Sequence, residues 1–317
     1  VSIGGGKWGS RRGRQTKGTA FISRSEIHDK YDLAAAVAAK VETGGAFDKV
    51  QMYDKGILSW GIKQWTLHRG SLQRVLGFIR GKLYESGQSS LWTKLFPGMD
   101  ISGNRIEIRG KAYSVPQKDN DDADRALRRV FRGTEMSERF LKDVMDHWLV
   151  IFAQAGRHPY IRKLQFEYAV TSLRKNLEKH LGKILRARRE IKESEVHNYR
   201  RVEDYIGSSS VAIALFNGME TQNPRWTYRY LKRVVDRFAK RYNTYDTSRW
   251  HSNWPEEFAH ELKREFEESG VTCWGRKALQ TKTACKGRTS RTTKMLRAYE
   301  GLSQDVAGAN YALSENA

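Results

Sequence analysis

Cysteine is nearly absent from the chain: Cys273 and Cys285 are the only two among 317 residues. Two cysteines make neither a disulfide framework nor, on their own, a zinc site. One clip between them and two free thiols both remain open. Proline is scarce as well, with 5 residues. None interrupts an apolar period beyond a first helical turn, so long helices are permitted. No run of about 18 apolar residues occurs, which excludes a membrane-spanning helix. The histidines show no HExxH or comparable ligand spacing, and neither a metal nor a cofactor is expected. Acidic charge is in deficit. Lys and Arg number 57 against 36 Asp and Glu, for a net charge of +21 and a pI near 10.0. So basic a surface collects polyanions such as nucleic acid, teichoic acid, anionic lipid or an acidic envelope, and charge alone does not choose among them.

What is present argues for a folded protein. The mean hydropathy of -0.70 is low, yet aromatics make up 11% of the chain, which speaks against general disorder. The length suits one large domain or two small ones. Val1 is not a start methionine and no apolar signal core follows it; a removed leader, another export route and a trimmed fragment all fit.

Residues 1–20 are rich in Gly, Arg and Lys and read as a flexible basic arm. Ile27, Tyr31, Leu33, Ala34, Val37, Ala38 and Val41 then recur at helical spacing over 25–42. Ser25 is the expected N-cap, and Gly44-Gly45 the stop. Residues 46–66 lack a helical period and read as turns and short extended pieces. A helix follows at 71–84. Ile101, Ile106, Ile108, Tyr113 and Val115 alternate between turn signals at Gly103-Asn104 and Gly110, which predicts a small β-meander over 99–117. Helices are predicted over 121–132, 136–155, 159–188, 194–206, 208–217, 225–245 and 255–268. Ser208 to Ser210 read as the cap of one of them. Residues 269–317 lose the apolar period and read as a basic C-terminal tail or appendage.

One stretch carries chemistry: KVETGGAFDKVQMYDKGILSWGIKQW, residues 40–65. Glycoside cleavage needs a protonated carboxylic acid beside the leaving oxygen, and apolar surroundings keep a carboxyl protonated. Glu42 ends a helix whose preceding face is Ala and Val. Asp48 or Asp54 is the candidate second carboxylate, to orient water on the other face of the sugar. Phe47, Trp60 and Trp65 are either core or a platform for pyranose rings. His68 follows the segment and reads as a surface residue, with the cleft wall as the alternative.

Two further stretches bear on this: Gly61-Ile62-Lys63-Gln64-Trp65, and Ala212, Ala214, Phe216, Asn217 and Gly218 followed by Tyr230-Leu231-Lys232-Arg233-Val234. With Glu42 they resemble, in order, the motifs of the lysozyme superfamily, in particular goose-type lysozymes and soluble lytic transglycosylases. The resemblance covers about residues 25–90 and 205–240. It implies that Glu42 is the catalytic acid, that Gln64 contacts sugar through its amide, that Gly61 lets substrate approach, and that Asn217 and Tyr230 shape the cleft; Trp60 and Asp48 are the further substrate-binding candidates from the residues themselves. Asp54 stands where goose-type hydrolases keep an Asp on the water side. The chain departs from the pattern in Thr43 for a Ser and Phe216 for a Tyr. About 150 residues also separate Gln64 from Asn217. That gap implies an insertion over about 95–200 and likens the chain to larger members, including chitosanases.

The expectation is therefore a predominantly helical α+β protein. Residues 21–268 form a lysozyme-like domain carrying a β-meander and a helical insertion, with basic arms at both ends. The implied activity is hydrolysis of β-1,4 bonds between amino sugars of peptidoglycan, in a secreted, envelope or phage-associated setting. The basic arms would hold anionic envelope polymers. A chitosanase or chitinase on the same scaffold is the near alternative, and a non-enzymatic nucleic-acid-binding protein the distant one.

Overall fold

The computed structural model describes residues 15–52, 56–103, 105–116, 121–132, 138–186, 209–222, 224–268 and 291–303. Ten α-helices and two three-stranded antiparallel sheets make up these residues. The chain is thus α+β and predominantly helical. No described helix is long and apolar enough to cross a membrane. The described residues divide into two compact units. The first holds residues up to Ile22 and Glu42–Tyr168, the second Ser23–Val41 and the chain from Ala169 onward.

In the first unit, β1 (Val50–Gln51), β2 (Ser59–Trp60) and β3 (Trp65–Thr66) form a sheet in that order, with Val50 and Trp65 each opposite Trp60. Helix α2 (Ser71–Glu85) buries Leu72, Val75, Leu76, Ile79 and Leu83, the stripe its sequence predicts. The short α3 (Ser89–Leu95) has no clear period in the sequence and buries Trp92. The meander forms as expected, with β4 (Met99–Ser102), β5 (Arg105–Ile108) and β6 (Lys111–Ser114) in sequential antiparallel order. Helices α4 (Asp122–Arg132) and α5 (Glu138–Arg157) complete the unit together with the first part of α6 (Pro159–Arg186). Trp60 lies at the centre, its ring edge-on to Phe96 at 6.0 Å and to Phe152 at 5.4 Å. Offset and edge contacts of this kind are the favoured aromatic geometries.

The second unit begins at Ser23 and takes in α1 (Lys30–Thr43) as far as Val41. Ser25 is not its cap. Ser25 lies in a short 3-10 turn, Arg24–Glu26, which Ser23 and Glu26 close. Asp29 caps α1 instead, its carboxylate accepting the Tyr31 and Asp32 amides at 2.7 and 2.8 Å. The expected single apolar face is exceeded, for every residue from Leu33 to Ala39 is buried. Alanine makes this possible, since its small side chain lets neighbouring elements close in on all sides.

Helix α7 (Ser210–Gln222) is capped by Ser209, whose hydroxyl accepts the Ala212 amide at 3.2 Å. Helices α8 (Pro224–Tyr242) and α9 (Trp254–Glu268) are joined by a ladder of Arg233, Arg237 and Arg241 against Glu265, Glu261 and Glu257. Beneath it pack Phe238, Trp250 and Phe258. The last 49 residues hold more than a tail: α10 (Arg291–Ser303) buries Met295, Leu296 and Tyr299. The helix predicted over 194–206, both cysteines and most of the N-terminal arm lie outside the described residues.

Candidate functional site

Glu42 sits on the last turn of α1 and is half-buried. Gly44 and Gly45 follow with φ of 76° and 86°, a left-handed pair that ends the helix and that a side chain would strain. Thr43 then ties this corner together. Its hydroxyl donates to the Ile62 carbonyl at 3.3 Å and accepts the Ala46 amide at 3.0 Å. The residue beside the candidate acid is thereby bonded to the Gly61–Gln64 turn, which connects β2 to β3.

That turn is built for packing. Gly61 has φ 79°, and a Cβ there would collide with Gln165 Oε1 and lie 2.9 Å from the Trp65 ring. The packing of α6 and Trp65 against this position is enough to require the glycine. Gln165 is buried and clamps two segments at once. Its Oε1 accepts the Ile62 amide, and its Nε2 donates to the Phe47 carbonyl, both at 3.3 Å. Gln64 has φ 50°, and its amide nitrogen donates to the Lys49 and Gly61 carbonyls at 3.3 Å. Its Oε1 is enclosed and has no hydrogen-bond partner among the described residues.

Asp48 is wholly buried and has the geometry of an anchor. Its carboxylate accepts the Thr19 hydroxyl at 2.6 Å, the Thr19 and Ala20 amides at 2.8 and 3.0 Å, and Arg157 Nε at 2.9 Å. Burial pushes its pKa up. The bonds from Thr19, Ala20 and Arg157 outweigh that and hold it below the ordinary aspartate value. A carboxylate so fully occupied is not presented to a sugar. Trp60, completely buried, is likewise core rather than platform. Asp54 lies outside the described residues.

Asn217 and Tyr230 belong to the second unit and are interior there. Asn217 Nδ2 donates to the Ala34 carbonyl at 2.9 Å. A Cβ on Gly218 would overlap the Met295 side chain, so this glycine is the seat of α10. Tyr230 packs edge-on against Phe266 at 5.7 Å and stacks on Trp226 at 6.1 Å. Packing accounts for both residues of the Asn-Gly pair and for the tyrosine.

Three groups in the first unit have surroundings that the local sequence does not show. His68, expected at the surface, is buried with Nδ1 3.8 Å from Asp124 Oδ1. Asp124, itself fully buried, accepts Arg128 Nε at 2.8 Å. Arg132 Nε donates to the Ile57 carbonyl at 2.9 Å, at a residue held at φ 66°, where a β-branched side chain is strained. An Asp four residues before an Arg in α4 is a local signal for one of these pairs; nothing local points to the burial of His68 against Asp124. Among the described residues no cluster of His, Cys, Asp and Glu has the makings of a metal site. No family model, curated protein or solved structure matches the chain.

Proposed function

We propose that the protein is a lysozyme-like glycoside hydrolase that cleaves β-1,4 bonds between amino sugars, with peptidoglycan as the substrate and Glu42 as the general acid. The observation that carries this is the corner at the end of α1. A partly exposed glutamate stands on the last turn of a buried Ala-rich helix, and its neighbour Thr43 is bonded to the Gly61–Gln64 turn. Helix end, glycine pair and three-stranded sheet follow one another along the chain. In this reaction Glu42 gives its proton to the glycosidic oxygen as the bond to the anomeric carbon breaks. Asp54 takes a proton from the water that attacks that carbon from the opposite face. The Gln64 amide nitrogen, which donates to the Lys49 and Gly61 carbonyls, supports a role for this residue in holding the turn beside the acid. Asn217, Tyr230, Trp60 and Asp48 act as supports rather than sugar contacts. A chitosan or chitin hydrolase uses the same two carboxylates on a different glycan. The setting is secretion, the cell envelope or a phage particle.

The test is zymography on purified cell walls with wild type beside Glu42→Gln. Loss of a positioned general acid costs about 10²–10⁴-fold in rate. A clearing band lost in the variant, with its circular dichroism unchanged, is expected. A variant that keeps more than about a tenth of the activity removes Glu42 from the role. The charge of +21 favours one second reading, a nucleic-acid-binding protein. That reading predicts no clearing by wild type and salt-sensitive retention on nucleic acid.

A further inference from the structure

A hollow of about 240 Å³ opens in the first unit where α2 and α3 meet the meander. Phe96 and Trp92 form its floor, and Trp92 Nε1 is fixed by donation to the Met99 carbonyl at 3.0 Å. Tyr84, 47% exposed, stands at the rim. The Arg80 guanidinium lies over its ring at 4.3 Å and forms a bidentate pair with Asp100, one arm at 3.0 Å. The ring is thus held in place from one side while much of it faces solvent. Asp100 and Glu107 stand directly opposite each other on β4 and β5. Like charges at such positions repel. Arg80 satisfies Asp100, whereas no ion pair among the described residues includes Glu107.

Arg109 gives the second, independent indication. The loop joining β5 to β6 is the two-residue Arg109-Gly110, with φ of 51° and 76°. Positive φ at both positions is the type I′ hairpin, whose first position selects Asn, Asp or Gly. An arginine there works against the turn, and its side chain lines the hollow. Two carboxylates and a guanidinium around an exposed aromatic ring offer planar acceptors and donors beside an apolar face. A pyranose presents the complement: hydroxyl groups around its edge and C–H bonds on its face.

We propose that this hollow is a second, non-catalytic carbohydrate site that holds a sugar ring of the polymer. Tyr84 stacks on the ring, Glu107 accepts its hydroxyls, and Arg109 donates to its oxygens. The site rests on the hydrolase reading only for the identity of the polymer. The probe is the hexamer of N-acetylglucosamine, and affinity is measured by calorimetry on the full chain in a Glu42→Gln background. Tyr84→Ala is expected to weaken binding about two- to tenfold, the loss of one stacking contact. Glu107→Gln, which keeps one acceptor, weakens it less. Trp226→Ala, another exposed aromatic in the second unit, serves as the control. The site is refuted if Tyr84→Ala binds as tightly as its parent, or if Trp226→Ala loses as much. The two proposals fail separately. Wild type that clears no cell wall yet binds the hexamer through Tyr84 removes the hydrolase and keeps the site. Clearing by wild type together with undiminished binding by Tyr84→Ala removes the site alone.

Discussion

Replacing Asp48 by Asn separates a structural anchor from a catalytic carboxylate. The change is nearly isosteric, so the cavity term is small. What changes is the chemistry at four donors. The Thr19 hydroxyl, the Thr19 and Ala20 amides and Arg157 Nε all point at this carboxylate within 2.6–3.0 Å. An asparagine keeps one acceptor oxygen and turns an NH₂ donor toward groups that also donate. Breaking one side of a buried ion pair costs about 3–5 kcal/mol, and hydrogen bonds to a charged group contribute about 1.5–3 kcal/mol each without adding simply. Asn retains part of the network, so a loss of about 3 kcal/mol is expected. At roughly 2–4 °C per kcal/mol for a folding unit of this size, that lowers Tm by roughly 6–12 °C. The pH dependence supplies a second readout. The folded pKa of Asp48 is lowered, so its contribution is complete above the unfolded value of about 3.9 and is lost as pH falls through the folded value. The gap between wild type and variant should therefore be full at pH 7 and narrow in acid. Thermal unfolding followed by near-ultraviolet circular dichroism measures both. A Tm within about 2 °C of wild type refutes the anchor. A variant that is stable but inactive would return Asp48 to the chemistry.

Other outcomes follow from the same contacts. Gly61→Ala should cost about 1–3 kcal/mol, from a positive φ and a clash with Gln165; Gln165→Ala in the same chain should relieve only the clash, which a double-mutant cycle in urea reads. Gly218→Ala should destabilise the second unit by about 1–3 kcal/mol through Met295, and Met295→Ala should mask most of that effect; two simply additive losses would refute the seat. The first-formed sugar product should have the α configuration by NMR, and Asp54→Asn should slow turnover more than it weakens binding. A 1,6-anhydro product would mean a lytic transglycosylase and remove Asp54 from its role.

Local patterns were legible where local forces decide. Leu72, Val75, Leu76, Ile79 and Leu83 announce α2, and Ile101, Ile106 and Ile108 announce the meander. Ser25 and Asp29 are both good cap residues ahead of α1, and only the hydrogen bonds choose between them. Helix α3 reads as SSLWTKL, in which three Ser and Thr residues disguise one buried tryptophan. Met295, Leu296 and Tyr299 are helically spaced but sit in a window rich in Thr, Lys and Arg, so α10 was hidden. At the candidate site the position of Glu42 on a helix end was readable, whereas its surroundings were not. Arg157 reaches Asp48 across 109 residues and Gln165 reaches Ile62 across 103. No periodicity encodes such pairs. For the same reason a glycine or asparagine that looks like part of a binding motif, as Gly61, Asn217 and Gly218 do, can owe its identity to a distant side chain.

The bond from Asn217 to the Ala34 carbonyl spans 183 residues, and it sets a timetable for synthesis. At about 5–20 residues per second, on the order of 10–40 s pass between the ribosome's joining of Ala34 and of Asn217. Through that interval residues 30–41 form an alanine-rich segment whose partners in α7 do not yet exist. The first unit, by contrast, can close as soon as Tyr168 emerges. Helix α1 is thus made well before the α7 residue that bonds to it. A cell producing this chain must shield that segment, or tolerate it, until α7 has been made.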